Sequence, residues 1–118
     1  MAGKQLEAGV RQQPGVAIVD LRGEINAQSE AVLNSAYAGA ESAAPRAVLL
    51  NFSEVDYINS TGIALIVGLL ARARAADRRL LACGLSSHYV EIFQITRLAD
   101  FMQVFPDEAG ALAGARAG

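Results

Sequence analysis

The chain has one cysteine, one histidine, three prolines and no tryptophan in 118 residues. Each scarcity excludes something. A single cysteine, Cys83, forms no intramolecular disulfide and no cysteine metal site. It stands in the apolar run LLACGL, where a small buried thiol is inert. One histidine, His88, beside Ser86 and Ser87, makes no triad by adjacency in sequence. Its expected place is a solvent-facing helix start. Charge is also scarce, at 19% of residues, with ten basic against twelve acidic and a net charge of −2. Such a surface does not attract nucleic acid or anionic lipid in bulk. The longest apolar run, Ile63 to Ala71, is too short to span a bilayer, and MAGKQLEAGV lacks the apolar core of a signal peptide. The expectation is a cytoplasmic, reduced protein without direct membrane insertion.

What is present is apolar: 53% of the chain, enough for the core of one domain over residues 1–118, centred on about 5–113. Gln5 to Gln12 reads as a weak strand, QQPG as a turn, and VAIVDLR (16–22) as a strong strand closing a hairpin. Gly23 is expected to break that strand, with Asn26 capping the helix that follows, Ala27 to about Ser42. In that helix Val32, Leu33, Ala36 and Tyr37 share one face. AVLLNF (47–52) and LLACGL (80–85) read as buried strands. Between them a helix after Gly62 places Ile63, Ile66, Val67, Leu70 and Arg74 on one stripe. Ser86 or Ser87 caps a short helix, HYVEIFQIT, and Phe101 to Val104 is a last strand. Asp107 and Glu108 open a final helix. The order β-β-α-β-α-β-α-β-α predicts an α/β sandwich with a mixed, mostly parallel sheet.

Catalytic signatures are missing. Asp20, Glu24, Asp56 and Asp100 are scattered and define neither a metal cage nor a carboxylate pair. Gly62, Gly68 and Gly84 form no P-loop, no dinucleotide fingerprint follows a strand, and there is no nucleophile elbow. No enzyme activity, cofactor or metal is expected. The run ARARAADRR (71–79) reads first as a solvated helix end and second as a local docking patch.

Attention therefore falls on NSTG, residues 59–62, between a strand and a helix. Asn59 and Ser60 are both good N-caps, and either begins the helix. The same place suits a phosphate, because the first helical N–H groups are unpaired and the dipole is positive there. A phosphoserine would add about −1.5 to −2 charge without unfolding the domain.

The segment VLLNFSEVDYINSTGIALIVGLL resembles the signature of the STAS domain, whose soluble single-domain members are bacterial anti-sigma-factor antagonists. The family pattern is an apolar strand, then Asp-Ser-Ser/Thr-Gly-Leu/Ile, then an apolar helix. Asn59, Ser60, Thr61, Gly62 and Ile63 occupy it here. LRGEINAQSE resembles the family's earlier Gly-Glu-Leu/Ile-Asp block, and the C-terminal third resembles its closing strands and helices. The resemblance implies a protein-binding module and not an enzyme. It implies phosphorylation of Ser60, with Thr61 the lesser acceptor, by an anti-sigma factor that is also an ATP-dependent serine kinase. It further implies restoration by a metal-dependent serine phosphatase, no nucleic-acid partner, and a partner-binding surface of Asn26, Asn59, Ser60, Thr61 and Gly62. Asn59 and Asn26 stand where the family commonly has Asp. The alternatives are an unmodified STAS scaffold or accessory subunit of a signalling complex or lipid transporter, and a small-ligand or nucleotide binder using the loop before Gly62.

Overall fold

In a computed structural model, which describes residues 4–117, five strands join in one sheet in the order β1-β2-β3-β4-β5. The strands are β1 (Glu7–Gln13), β2 (Val16–Ile25), β3 (Ala47–Ile58), β4 (Arg79–Cys83) and β5 (Gln103–Phe105). The helices are α1 (Glu30–Glu41), α2 (Ser60–Ala75), α3 (Ser87–Ile95) and α4 (Glu108–Ala117). Short 3-10 turns at Ala27–Ser29 and Leu98–Asp100 precede α1 and β5. β1 and β2 pair antiparallel through the Pro14-Gly15 turn, and every later pairing is parallel. The expected order and mixed sheet are therefore found.

Alternation along the strands sorts two apolar faces. Val19, Leu21, Val48, Leu50 and Ala82 pack beneath α1, α2 and α3. Val16, Ile18, Leu49, Leu81 and Cys83 pack against Ala111 of α4 on the opposite face. Burial on both sides explains why 47–50 and 80–83 read as unbroken apolar runs. Burial also pushes the Cys83 thiol up to about 11, so at neutral pH it stays protonated. At the edge of the α4 face, Arg11 grips Asp20 at 2.6 and 2.8 Å and reaches Glu108 at 2.6 and 3.1 Å. This ties α4 to the hairpin. Arg11, and secondarily the amide of Asn51, holds the Asp20 carboxyl below its ordinary range against the opposing effect of burial.

Three local expectations are corrected. Gly23 does not end β2, which runs on to Ile25 with register shifts on either side of Gly23. With φ +105°, and with an added Cβ 2.6 Å from the Gln5 carbonyl oxygen, Gly23 permits a bulge rather than a stop. β3 likewise continues past Phe52 for six residues, to Ile58. Finally, the buried stripe of α2 is Gly62, Ile66, Leu69, Leu70 and Ala73, and Val67 faces solvent. Pattern alone favours the large side chains, whereas the required direction of Gly62 fixes the rotation of this helix.

Candidate functional site

The long central strands end together. Ile25 and Ile58 are partners in the parallel ladder, and each is followed by an asparagine. Asn26 and Asn59 are both in extended backbone, and both turn the chain into a helix. The Asn26 side chain accepts from the Gln28 amide at 3.0 Å, while Ser29 Oγ accepts from the Asn26 amide at 2.9 Å. Ser29 is buried and donates through the same hydroxyl to the Glu24 carbonyl at 3.2 Å. The Asn59 carboxamide accepts from the Gly62 amide at 2.8 Å. Each cap satisfies a donor that the helix itself leaves orphaned.

A backbone bond joins the two turns: the Asn59 amide donates to the Ile25 carbonyl at 3.1 Å. The first turn of α2 then sits directly on that carbonyl. A Cβ added to Gly62 would stand 2.8 Å from the Ile25 carbonyl carbon and closer still to its oxygen. Glycine is needed here for close approach of backbone to backbone, not for an unusual φ.

The other side of β3 has no strand at this height, because β4 pairs only as far as Cys83 opposite Asn51. Tyr89, nearly buried on α3, fills the gap. Its hydroxyl accepts from the Ile58 amide at 2.8 Å and donates to the Ile58 carbonyl at 3.2 Å. One phenol thus replaces two ladder hydrogen bonds at the last residue before the site. Sequence reasoning did not single out Tyr89. A tyrosine on the apolar face of a short helix signals a buried hydroxyl in want of a partner, but not which partner. His88, next to it, is exposed as expected, with its ring 4.8 Å from that of Tyr89.

With Asn59 as the cap, Ser60 is the first helical residue. It is exposed, and its hydroxyl makes no side-chain hydrogen bond among the described residues. Thr61 is exposed too, rather than packed. The open choice between Asn59 and Ser60 as cap is thereby settled, and the serine is released from structural duty. Beyond it the outer face of α2 presents Ala64, Val67, Gly68 and Ala71 to solvent, one helical row starting at Ser60. Tyr57, half exposed on β3, stands two residues before the cap. Thus Asn26 and Asn59 are brought together at one edge, and Ser60 and Thr61 project from it. Gly62, expected on the partner-binding surface, is instead buried beneath them. Among the described residues no cluster of three His, Cys, Asp or Glu is placed to hold a metal ion, and no helix is long and apolar enough to cross a membrane.

The chain is similar to known proteins over most of its length. Residues 7–111 match the family model described as "STAS domain". BtrV of Bordetella bronchiseptica, named as a candidate anti-sigma factor antagonist, is 28% identical over 92 residues, spanning 78% of this chain and 77% of that protein. An anti-sigma-B factor antagonist of Staphylococcus aureus is 37% identical over 59 residues, half of this chain and 55% of that one. The crystal structure of an anti-sigma factor antagonist from Mycobacterium paratuberculosis superposes with a TM-score of 0.77, covers 95% of each chain, and shares 20% identity. That last likeness speaks to the fold alone. With the matched span taking in the hairpin, both asparagine caps, Ser60 and the start of α4, the chain belongs to the STAS domain family.

Proposed function

We propose that this protein is an anti-sigma-factor antagonist whose binding to its partner is switched by phosphorylation of Ser60. The observation that carries the reading is the division of labour at the helix start. Asn59 does the capping, which leaves the Ser60 hydroxyl exposed and unengaged. A serine that only capped α2 would have its oxygen on an amide of the first turn. The names of the sequence relatives support an anti-sigma factor as the partner; that this partner is also an ATP-dependent serine kinase is part of the proposal.

The physics of the switch follows from position. A phosphate at the first helical residue lies near unpaired N–H groups and the positive end of the dipole, so the fold tolerates it. The outer face of α2, by contrast, is small and uncharged from Ala64 to Ala71. A partner lying along that row meets neutral, low-relief surface while Ser60 is free. Phosphorylation adds about −1.5 to −2 charge at the row's end, with bulk that has no room under a docked partner.

The two asparagines bear on the same step. Both act through a side-chain oxygen as caps, a task aspartate performs equally. Their neutrality removes two negative charges from the edge at which a phosphate would be added, which lowers the electrostatic cost of the modified form.

The test is phosphosite mapping after incubation with ATP and the partner kinase, for the wild type and for Ser60→Ala. The reading predicts one phosphate, on Ser60, absent from the variant. Modification of Thr61 alone overturns it, and no modification with any cognate kinase overturns it in favour of an unmodified scaffold.

A further inference from the structure

The charge of this protein is divided by end. Six of its ten basic residues, Arg46, Arg72, Arg74, Arg78, Arg79 and Arg116, gather where the parallel strands begin and where α1, α2 and α4 finish. Hydrogen bonds fix the grouping. The Arg79 amide donates to the Arg46 carbonyl, the Arg46 amide to the Gly15 carbonyl, and Arg116 to the side chain of Gln13 in the same turn region. Arg72 and Arg78 share Glu41 at the end of α1. Against these six stand only Glu41 and Asp77, which leaves this end with a net charge of +4. The remaining four basic and ten acidic side chains give the rest of the molecule −6, and the two regions together restore −2.

Several of these cations lack an anion. Arg46, Arg74, Arg79 and Arg116 have no carboxylate partner among the described residues. Arg79 donates to the neutral carbonyls of Ala115 and Gly114 and to the Gln103 side chain, so its charge is positioned but not cancelled. Arg74 lies over the ring of Phe101, 5.1 Å from its centroid, and Phe101 is itself 56% exposed. Between them opens a cleft of about 380 Å³ floored by Leu70, Leu80 and Leu81. An apolar floor, a stacked aromatic and a rim of uncancelled guanidinium groups form an amphipathic receptor. Asp77 also lines it and is the one opposing charge.

We propose that this cleft docks an acidic protein segment carrying one apolar anchor, at the end of α2 opposite Ser60. The fourteen residue steps from Ser60 to Arg74 place these two residues about 21 Å apart along the helix axis. A partner at the cleft therefore leaves Ser60 uncovered, and the proposal does not rest on the phosphorylation reading. Complementarity favours a compact acidic segment over an extended polyanion. A nucleic-acid duplex, with one charge per about 1.7 Å of axis, or an anionic bilayer, would overrun this end onto the acidic remainder. A short peptide meets only the +4 region.

The experiment is a titration of the 15N-labelled protein, read by amide chemical shifts. The probe is a synthetic peptide of alternating Glu and Asp with a central Phe. The comparison probes are its Gln/Asn counterpart, a duplex oligonucleotide, and phosphatidylglycerol vesicles. The proposal predicts saturable shifts confined to residues 70–81 and 101–103 with the acidic peptide. It predicts none with the neutral one, and about tenfold weaker binding in Arg74→Glu. Phe101→Ser, a second exposed position, should weaken binding of the acidic peptide while leaving the remaining amide spectrum that of the folded protein. Equal shifts from the neutral peptide, unchanged affinity in both variants, or a stronger response to duplex or vesicles at these residues would overturn it.

Discussion

The Asn59 amide donates to the Ile25 carbonyl at 3.1 Å, and Gly62 lies against that same carbonyl. One backbone oxygen thus sets both the exit of β3 and the seat of α2. Ser60 inherits its exposed position from this joint. The residues around it divide into those that build the joint and those that it presents.

Gly62 is the joint's least replaceable member. Gly62→Ala pushes a methyl group into the backbone at the end of β2, at the Ile25 carbonyl. A loss of about 2–3 kcal/mol is expected, as for overpacked core sites. Chemical denaturation of the variant measures it, and wild-type stability would mean that α2 is free to lift off Ile25.

Tyr89→Phe keeps the ring and deletes one oxygen. The Ile58 amide and carbonyl then lose their partner in a nearly buried place, at a cost of about 1–3 kcal/mol. Hydrogen exchange gives the sharper readout. The Ile58 amide should exchange much faster in the variant, while amides of 47–50 in the same strand keep their protection.

The division of labour at the cap predicts opposite outcomes at adjacent positions. Asn59→Ala removes the oxygen that the Gly62 amide uses and should cost about 1 kcal/mol. Ser60→Ala removes nothing that bonds within the fold and should shift the melting temperature negligibly. A larger loss at Ser60 than at Asn59 would reverse the assignment.

Asp20 supplies a pH dependence. Its carboxyl, bonded first by Arg11, sits below its ordinary value in the folded protein. A lowered folded value means that the stabilisation is complete above the unfolded carboxyl's range near 4. It is lost as pH falls through the lower, folded value. Asp20→Asn should therefore be less stable than wild type at pH 7, by about 1 kcal/mol or less because both partners are partly solvated. The gap should close in strong acid. Thermal melts of the two proteins from pH 2 to pH 7 check the convergence.

Much of this was legible in the sequence, and the limits have physical causes. Runs such as AVLLNF and LLACGL announce doubly buried strands, and alternating strands and helices announce parallel crossovers. Asn26 as a cap was readable because asparagine before a helical pattern has few other uses. The extent of β2 was not, since a glycine that permits a bulge looks the same as one that stops a strand. The rotation of α2 was hidden for a related reason: periodicity weighs large side chains, yet Gly62, which has none, fixes the buried face. Tyr89 belongs to a third kind. Its partner lies 31 positions away, on a strand edge that exists only because β4 stops early. The arginine-rich end was visible as ARARAADRR, but Arg46 and Arg116 join it only through the fold.

The central claim concerns binding, so the decisive measurement is the dissociation constant of the anti-sigma partner for unmodified and Ser60-phosphorylated protein under identical salt. The account predicts that phosphate weakens the complex by more than a hundredfold, about 3–4 kcal/mol, with the fold's melting temperature nearly unchanged. Equal affinity for the two forms, with the phosphate verified on Ser60, would contradict it.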